Sequence, residues 1–294
     1  MSQHGSTLSL AQRYHYDVSM KGDGSEAYVI LPGLSYYDFD RTGNPNIWKL
    51  QKLLSLARGI VYHDTTNSTG KPYVEYNEMI KDRFTFMASA EIELSDEFYK
   101  MAGSVQVPLS VHVNLGYIGN SSILSMANAY HGVNNGWLIK SKNTIVTVDP
   151  ETRRPKPLPS WWKEKYRPIC SESGPFKKEK ILKATNCYRY ETKVRWSDTD
   201  RYKHTNQASY IYFCLDAATD ASLSNFYENI QGDFCKYHIK KITMGYHGES
   251  VANDTVVIET WQMEDKDTVH FQISKKGIEN VIFQCTIVLS ISNN

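Results

Sequence analysis

Apolar residues recur along this chain with two periods, and both periods occur in each half. Ile47, Leu50, Leu54, Ala57 and Val61 fall three or four positions apart, as do Tyr210, Cys214, Ala217 and Ala221. That spacing gathers each set on one side of a helix, so one amphipathic helix is expected in each half. Farther on, "DTVVIETWQME", "DTVHFQISKKG" and "NVIFQCTIVLSI" are rich in β-branched and aromatic residues and are bounded by charged or glycine turns. Such serial runs predict antiparallel strands. In the first half "SILSMANAY", "GWLIKSK" and "TIVTVD" predict the same, less cleanly. The unit is a helix followed by several antiparallel strands, and it occurs twice.

The residues ahead of the two helices also repeat. "YYDFDRTGNPNIWKL" and "WSDTDRYKHTNQASY" align without a gap, so that Asp38, Asp40, Arg41 and Asn46 match Asp198, Asp200, Arg201 and Asn206. A second match sets "VNLGYIGNSS" against "ITMGYHGESV", pairing Gly116, Tyr117, Gly119 and Ser121 with Gly245, Tyr246, Gly248 and Ser250. By that match Asn120 is the counterpart of Glu249, and Thr65–Met79 is the expected place of an insertion in the first copy. The expected division is residues 1–162 as a degenerate, structural first domain, 163–180 as a linker and 181–294 as the domain carrying the chemistry. The proline- and charge-rich "ETRRPKPLPSWWKEKYRP" and "SESGPFKKEK" motivate the linker.

A helix wrapped by a sheet begins in the interior, so the unpaired N–H groups of its first turn need partners. "DRTGNPN" and "DRYKHTN" offer several. The pattern W-S-D-T-D-x-x-x-H-x-N-x-x-x-Y, Trp196 to Tyr210, resembles the signature of hotdog-fold thioesterases. The resemblance is to the acyl-acyl carrier protein and 4-hydroxybenzoyl-CoA thioesterases. It implies an α+β tandem (double) hotdog, each unit an antiparallel sheet around a central helix, with one chain supplying both halves of what is otherwise a dimer. It covers most of the chain, strongly over 183–291 and weakly over 8–94.

By that resemblance Asp200 matches the catalytic aspartate and His204 the motif histidine. Glu249 matches the acidic residue beside the plant enzymes' cysteine, and Ser250 falls where that cysteine stands. Tyr202 replaces the plant enzymes' asparagine, a departure that bears on mechanism and on carrier preference. Thioester hydrolysis needs an activated water or a carboxylate nucleophile, and stabilisation of the carbonyl oxyanion. Asp200 is therefore read as base or nucleophile, with His204 and Glu249 positioning water and substrate. Asn206, Gln207, Tyr202 and Ser250 are read as substrate or oxyanion contacts. Each has a plainer reading too: Asp198 and Asn206 as caps, Asp200 as a cap or relic, His204 as a residue shaping the loop, Glu249 as a solvated strand-end charge. The first copy keeps Asp40 and Asn46 but has Asn44 where the second has His204, and Asn120 by the match above. It is read as scaffold and pocket wall.

The expected function is hydrolysis of a fatty or aromatic acyl-CoA or acyl carrier protein thioester, in lipid metabolism. The alternatives are a catalytically silent acyl-thioester binder and a hotdog hydratase or dehydratase. The hydratase would pair a histidine of one half with an aspartate of the other, and the first helix entrance lacks that histidine. Lys177, Lys178 and Lys180 are candidates to meet the carrier's phosphates. The resemblance also leaves a homodimer open.

Composition narrows the field further. A net charge of +1 gives no basic field for nucleic acid. Cys170, Cys187, Cys214, Cys235 and Cys285 are odd in number and widely spaced, which fits free, mostly buried thiols. No signal peptide, membrane-length apolar run or peroxisomal C-terminus is read, so a cytoplasmic protein is expected. No metal-ligand spacing, P-loop, dinucleotide fingerprint or serine-hydrolase elbow occurs, and no cofactor is expected.

Overall fold

The computed structural model describes residue 16 and residues 18–65, 70–102, 108–131, 136–176 and 181–290. Its chain gathers into two compact units that interleave in sequence. One comprises Met1–Gly33, Leu53–Met87 and Gln106–Phe176, the other Leu34–Lys52, Ala88–Val105 and Lys177–Asn294.

In the first unit the sheet runs in the order β1 (Val18–Met20), β2 (Glu26–Leu31), β4 (Leu109–Ile118), β5 (Ser122–His131) and β6 (Trp137–Val148), all antiparallel. Strand β6 is a single strand where two runs were expected, because the polar Asn143 between them is buried and paired across to Ser125. Helix α1 (Ile47–His63), which belongs to this unit from Leu53 onward, presents the expected face: Ile47, Leu50, Leu54, Ala57 and Val61 are all buried. The same side carries Arg58, which is 4 % exposed. Its guanidinium donates to Ser125 Oγ at 3.2 Å and to Ser141 Oγ at 3.0 Å, as well as to both backbone carbonyls.

The second unit orders its strands β3 (Phe84–Leu94, from Ala88), β8 (His238–Tyr246), β11 (Val281–Ser290), β10 (Thr268–Lys275), β9 (Thr255–Gln262) and β7 (Tyr188–Lys193). Helix α4 (Ser209–Leu223) packs on β7, β9 and β11. Tyr210, Cys214, Ala217 and Ala221 are buried as expected, and so are Ile211, Phe213, Leu215 and Ala218. A helix apolar nearly all round is one enclosed by its sheet, which is the geometry of a hotdog.

Strand order corrects one reading of the sequence. In each unit the strand before the helix pairs with the next-but-one strand after it: β2 with β4, and β7 with β9. Strand β4 is thus equivalent to β9, whereas β8, which carries "MGY", takes the place of β3. The matched G-Y-x-G blocks are therefore not equivalent, and Asn120 is not the counterpart of Glu249. The residues that follow β3, Ser95 and Asp96, the latter opening helix α2 (Asp96–Ala102), hold that topological place.

The proline-rich stretch read as a linker is structured up to Phe176. Helix α3 (Ser160–Tyr166) carries the fully buried Trp162, whose Nε1–H donates to the Val74 carbonyl at 2.7 Å. Val74 and Glu75 adopt left-handed backbone angles (φ 51° and 46°), a conformation that persists only where neighbours enforce it. Here Lys165 and the Tyr166 hydroxyl, from the same helix, hold the Glu75 carboxylate. Lys177, Lys178 and Lys180 lie outside the described residues, as does part of the expected insertion.

Trp162→Ala is expected to cost about 3–5 kcal/mol in chemical denaturation, the usual loss for a large buried aromatic. Lys165 and Lys71 hold the Glu75 carboxyl down from 4.5 to about 2. Its folded-state value lies below the unfolded one, so its contribution is complete above pH 4.5 and disappears as the pH falls toward 2. Glu75→Gln should accordingly flatten the acid limb of the stability–pH curve in that window, measured by denaturant midpoints.

Candidate active site

The second motif folds as a tight loop before α4. Asp200 N–H donates to the His204 carbonyl at 2.8 Å, Lys203 N–H returns to the Asp200 carbonyl at 2.9 Å, and a bridge joins Thr199 to Thr205. Asp200 Oδ1 accepts from Tyr202 N–H at 2.8 Å. The first motif is built the same way: Asp40 N–H to the Asn44 carbonyl at 2.8 Å, and Thr42 N–H to Asp40 Oδ1 at 2.8 Å. Gly43 takes the left-handed turn there (φ 87°), where the second loop uses Lys203 (φ 66°). One oxygen of each aspartate thus shapes its loop. Asp200 Oδ2 makes no hydrogen bond among the described residues.

Capping follows the pattern expected of a buried helix start. Asp198 Oδ2 accepts from Arg195 N–H at 2.7 Å, and its carbonyl accepts from Asn206 N–H and from Ser209 Oγ–H, both at 2.8 Å. Asn206 Oδ1 takes Ala208 N–H at 3.0 Å and its carbonyl takes Ser209 N–H at 2.8 Å. Two of the amides expected to face an oxyanion are therefore already occupied. Gln207 sits half-buried at the helix entrance, its carbonyl accepting from the Tyr246 hydroxyl at 3.3 Å.

The loop is fastened to the segment after β8. Thr205 N–H donates to the Ser250 carbonyl at 2.8 Å, and His204 bridges Val251. This brings His204 Nδ1 within 2.6 Å of Glu249 Oε2, from 45 residues away in the chain. Glu249 is exposed and His204 half-buried. Gly248 is required beneath them, since a Cβ there would meet Ile282 Cγ2 at 2.9 Å. Ser250 is fully buried; its hydroxyl bonds with those of Thr205 at 2.7 Å and Tyr210 at 3.0 Å. It backs the His204–Glu249 pair from inside instead of facing a ligand. Tyr202 lies out in solvent, with its hydroxyl accepting from Arg201 at 2.6 Å. His204 and Glu249 thus meet, on a loop that Asp200 shapes and that Asn206 and Ser250 support.

The first loop is closed off. Arg41 makes a two-pronged ion pair with Asp233 at 2.6 and 2.7 Å, while Asn44 Nδ2–H and Thr42 Oγ1–H donate to the Cys235 carbonyl at 2.8 and 2.9 Å. The cavity among Asp40, Asn44, Asn46 and Tyr99 holds about 20 Å³, room for one water and no substrate. Asn120 belongs to the first unit, where its carbonyl accepts from Leu158 N–H at 2.8 Å.

Beside the second loop a cavity of about 310 Å³ is lined by Trp48, Lys52, Arg195, Asp198, Asn206 and Tyr212. Asp200, His204 and Glu249 do not line it. Periodicity does not announce this cavity, since Trp48 and Tyr212 sit one helical step off the buried faces. Burial, with the Asp198 carboxylate second, raises the Tyr212 phenol well above its ordinary range.

The fold defined by these elements is the tandem hotdog. It is shared with an acyl-ACP thioesterase from Bacteroides thetaiotaomicron (17% identity, 92% of this chain and 100% of that one, TM-score 0.68). It is shared too with the 12:0-ACP thioesterase from Umbellularia californica (15%, 90% and 97%, 0.65) and a putative oleoyl thioesterase from Lactobacillus plantarum (14%, 93% and 99%, 0.67). No family model and no curated protein sequence matches the chain. No described helix is long and apolar enough to cross a membrane.

Tyr210→Phe removes the hydroxyl that accepts from Ser250 N–H at 3.1 Å and leaves that amide buried without a partner. A loss of about 1–3 kcal/mol in urea unfolding is expected, the cost of an unsatisfied buried donor.

Proposed function

We propose that the protein hydrolyses an acyl thioester, fatty or aromatic, to free acid and thiol at the second loop. The observation that supports this best is the 2.6 Å contact between His204 Nδ1 and Glu249 Oε2. A carboxylate accepting from Nδ1–H fixes the tautomer and leaves Nε2 as an outward-facing base. Asp200, four residues earlier on the same loop, offers its Oδ2 to a water.

In this reading Nε2 takes a proton from that water as its oxygen attacks the thioester carbonyl carbon. The positive end of α4 faces the oxyanion that forms, an arrangement favoured by the helix dipole. Collapse of the tetrahedral adduct breaks the C–S bond. A thiol's ordinary pKa of about 8.5 makes its thiolate a good leaving group, and imidazolium returns the proton to it. The tight, filled first loop supports a scaffold role for Asp40, Asn44 and Asn46. Asn44, committed to the Cys235 carbonyl, is poorly placed for the acid–base work a hydratase would ask of that half.

Purified protein is to be incubated with acyl-CoA and acyl carrier protein esters while free thiol is followed. His204→Ala and Glu249→Gln should each lower kcat by about 10²–10⁴-fold, the range for general-base loss. Asp200→Asn should do likewise, while Asp40→Asn stays near wild type. Binding without thiol release would make the protein a silent acyl-thioester module. Addition of water to an enoyl ester with the thiol retained would make it a hydratase.

A further inference from the structure

The cavity beside the second loop has a charge pattern that the proposed chemistry does not use. Lys52 and Arg195 line it, and Lys49 adjoins it. None of the three has a carboxylate of the described residues within ion-pairing distance. Lys52 and Lys49 instead sit over the Trp48 ring, 4.7 and 5.3 Å from its centroid. Trp48 is held edge-on by Tyr212, with ring centroids 5.6 Å apart. The acid facing the cavity is Asp198, and its Oδ2 is taken by the Arg195 backbone N–H. The balance is therefore cationic.

Three other cations of this unit have an acidic partner: Arg41 has Asp233, Lys183 has Glu259 and Lys241 has Glu91. Three neighbouring cations around a recess, two gathered on one indole, suit an anion brought from outside. A volume of about 310 Å³ lies at the lower end of small-ligand sites, the size of one ligand group and not of a whole acyl carrier.

The geometry points to a phosphoryl-binding site formed by Lys52, Lys49 and Arg195, which receives the phosphate of the phosphopantetheine arm bearing the thioester. This assignment rests on the thioester reading for the identity of its ligand. The chemistry is common to both carriers, since coenzyme A and a holo carrier protein attach the same arm through phosphate. Both lysines can leave the indole face for a phosphate oxygen, and Arg195 can meet two oxygens at once. The cavity shares Asp198, Thr199 and Asn206 with the loop that carries Asp200 and His204, so phosphate and reacting carbonyl would be anchored by one rigid segment.

Equilibrium calorimetry with 4′-phosphopantetheine and with phosphate-free pantetheine tests the site without any turnover. Wild-type protein should bind the phosphorylated arm at least about tenfold more tightly, the worth of one charge-assisted contact. In Lys52→Ala/Arg195→Ala that ratio should fall toward one, and in Lys52→Arg it should persist. Coenzyme A and holo carrier protein, titrated separately, identify the source: both should weaken in the double variant, and the source is the one that wild type binds more tightly. Equal binding of the two arms by wild type, or an undiminished ratio in the double variant, overturns the assignment. Failure of thiol release with the ratio intact would remove the hydrolase reading and leave the phosphate site standing.

Discussion

The structure turns on where its central helices begin. A helix enclosed by a sheet starts in the interior, where water cannot serve its first amides, and the preceding chain has to do so. Asn206 and the Asp198 carbonyl meet that need for α4, and Asp38 and Asn46 stand at the same places before α1. The need fixes the loop's path within narrow limits. It also delivers His204 and Asp200 to the surface with little freedom left, because the backbone between them is tied at both ends. Precision in the candidate site is a by-product of satisfying a buried helix.

Behind the pair of ionisable side chains lies a layer that does not titrate in the physiological range. Ser250, Thr205 and Tyr210 exchange hydrogen bonds, and Tyr210 stacks on Phe283 with ring centroids 5.0 Å apart. Burial raises the Tyr210 phenol above its ordinary value, so it stays a neutral donor and acceptor. The exposed carboxylate of Glu249 is thereby attached to a rigid base through a single peptide link.

How much of this could be read beforehand depended on the range over which each constraint acts. The helix faces were legible to the residue, because periodicity is local and the burial of Leu54 or Ala217 leaves no other assignment. The loop motif was legible because capping is also local. The pairing of Asn120 with Glu249 failed for a physical reason: the matched Gly119 and Gly248 are both crowded by close side chains, Ser122 in one case and Ile282 in the other, after strands that are not equivalent. Crowding selects glycine wherever it occurs, and a shared G-Y-x-G testified to crowding and not to ancestry. Strand β3, with its "MASAEIE", lacks the aliphatic alternation that announces a strand. Arg195 and Lys52 meet across more than a hundred residues, a juxtaposition set by tertiary folding alone.

One consequence concerns symmetry more than chemistry. In a symmetric pair of identical chains every substitution appears twice, so neither loop can specialise without the other. Here Arg41 is committed to Asp233 while its match, Arg201, contacts the neighbouring Tyr202 ring and hydroxyl. A chain that carries both loops has no such obligation. One loop can serve as mortar while the other carries ionisable groups at its surface.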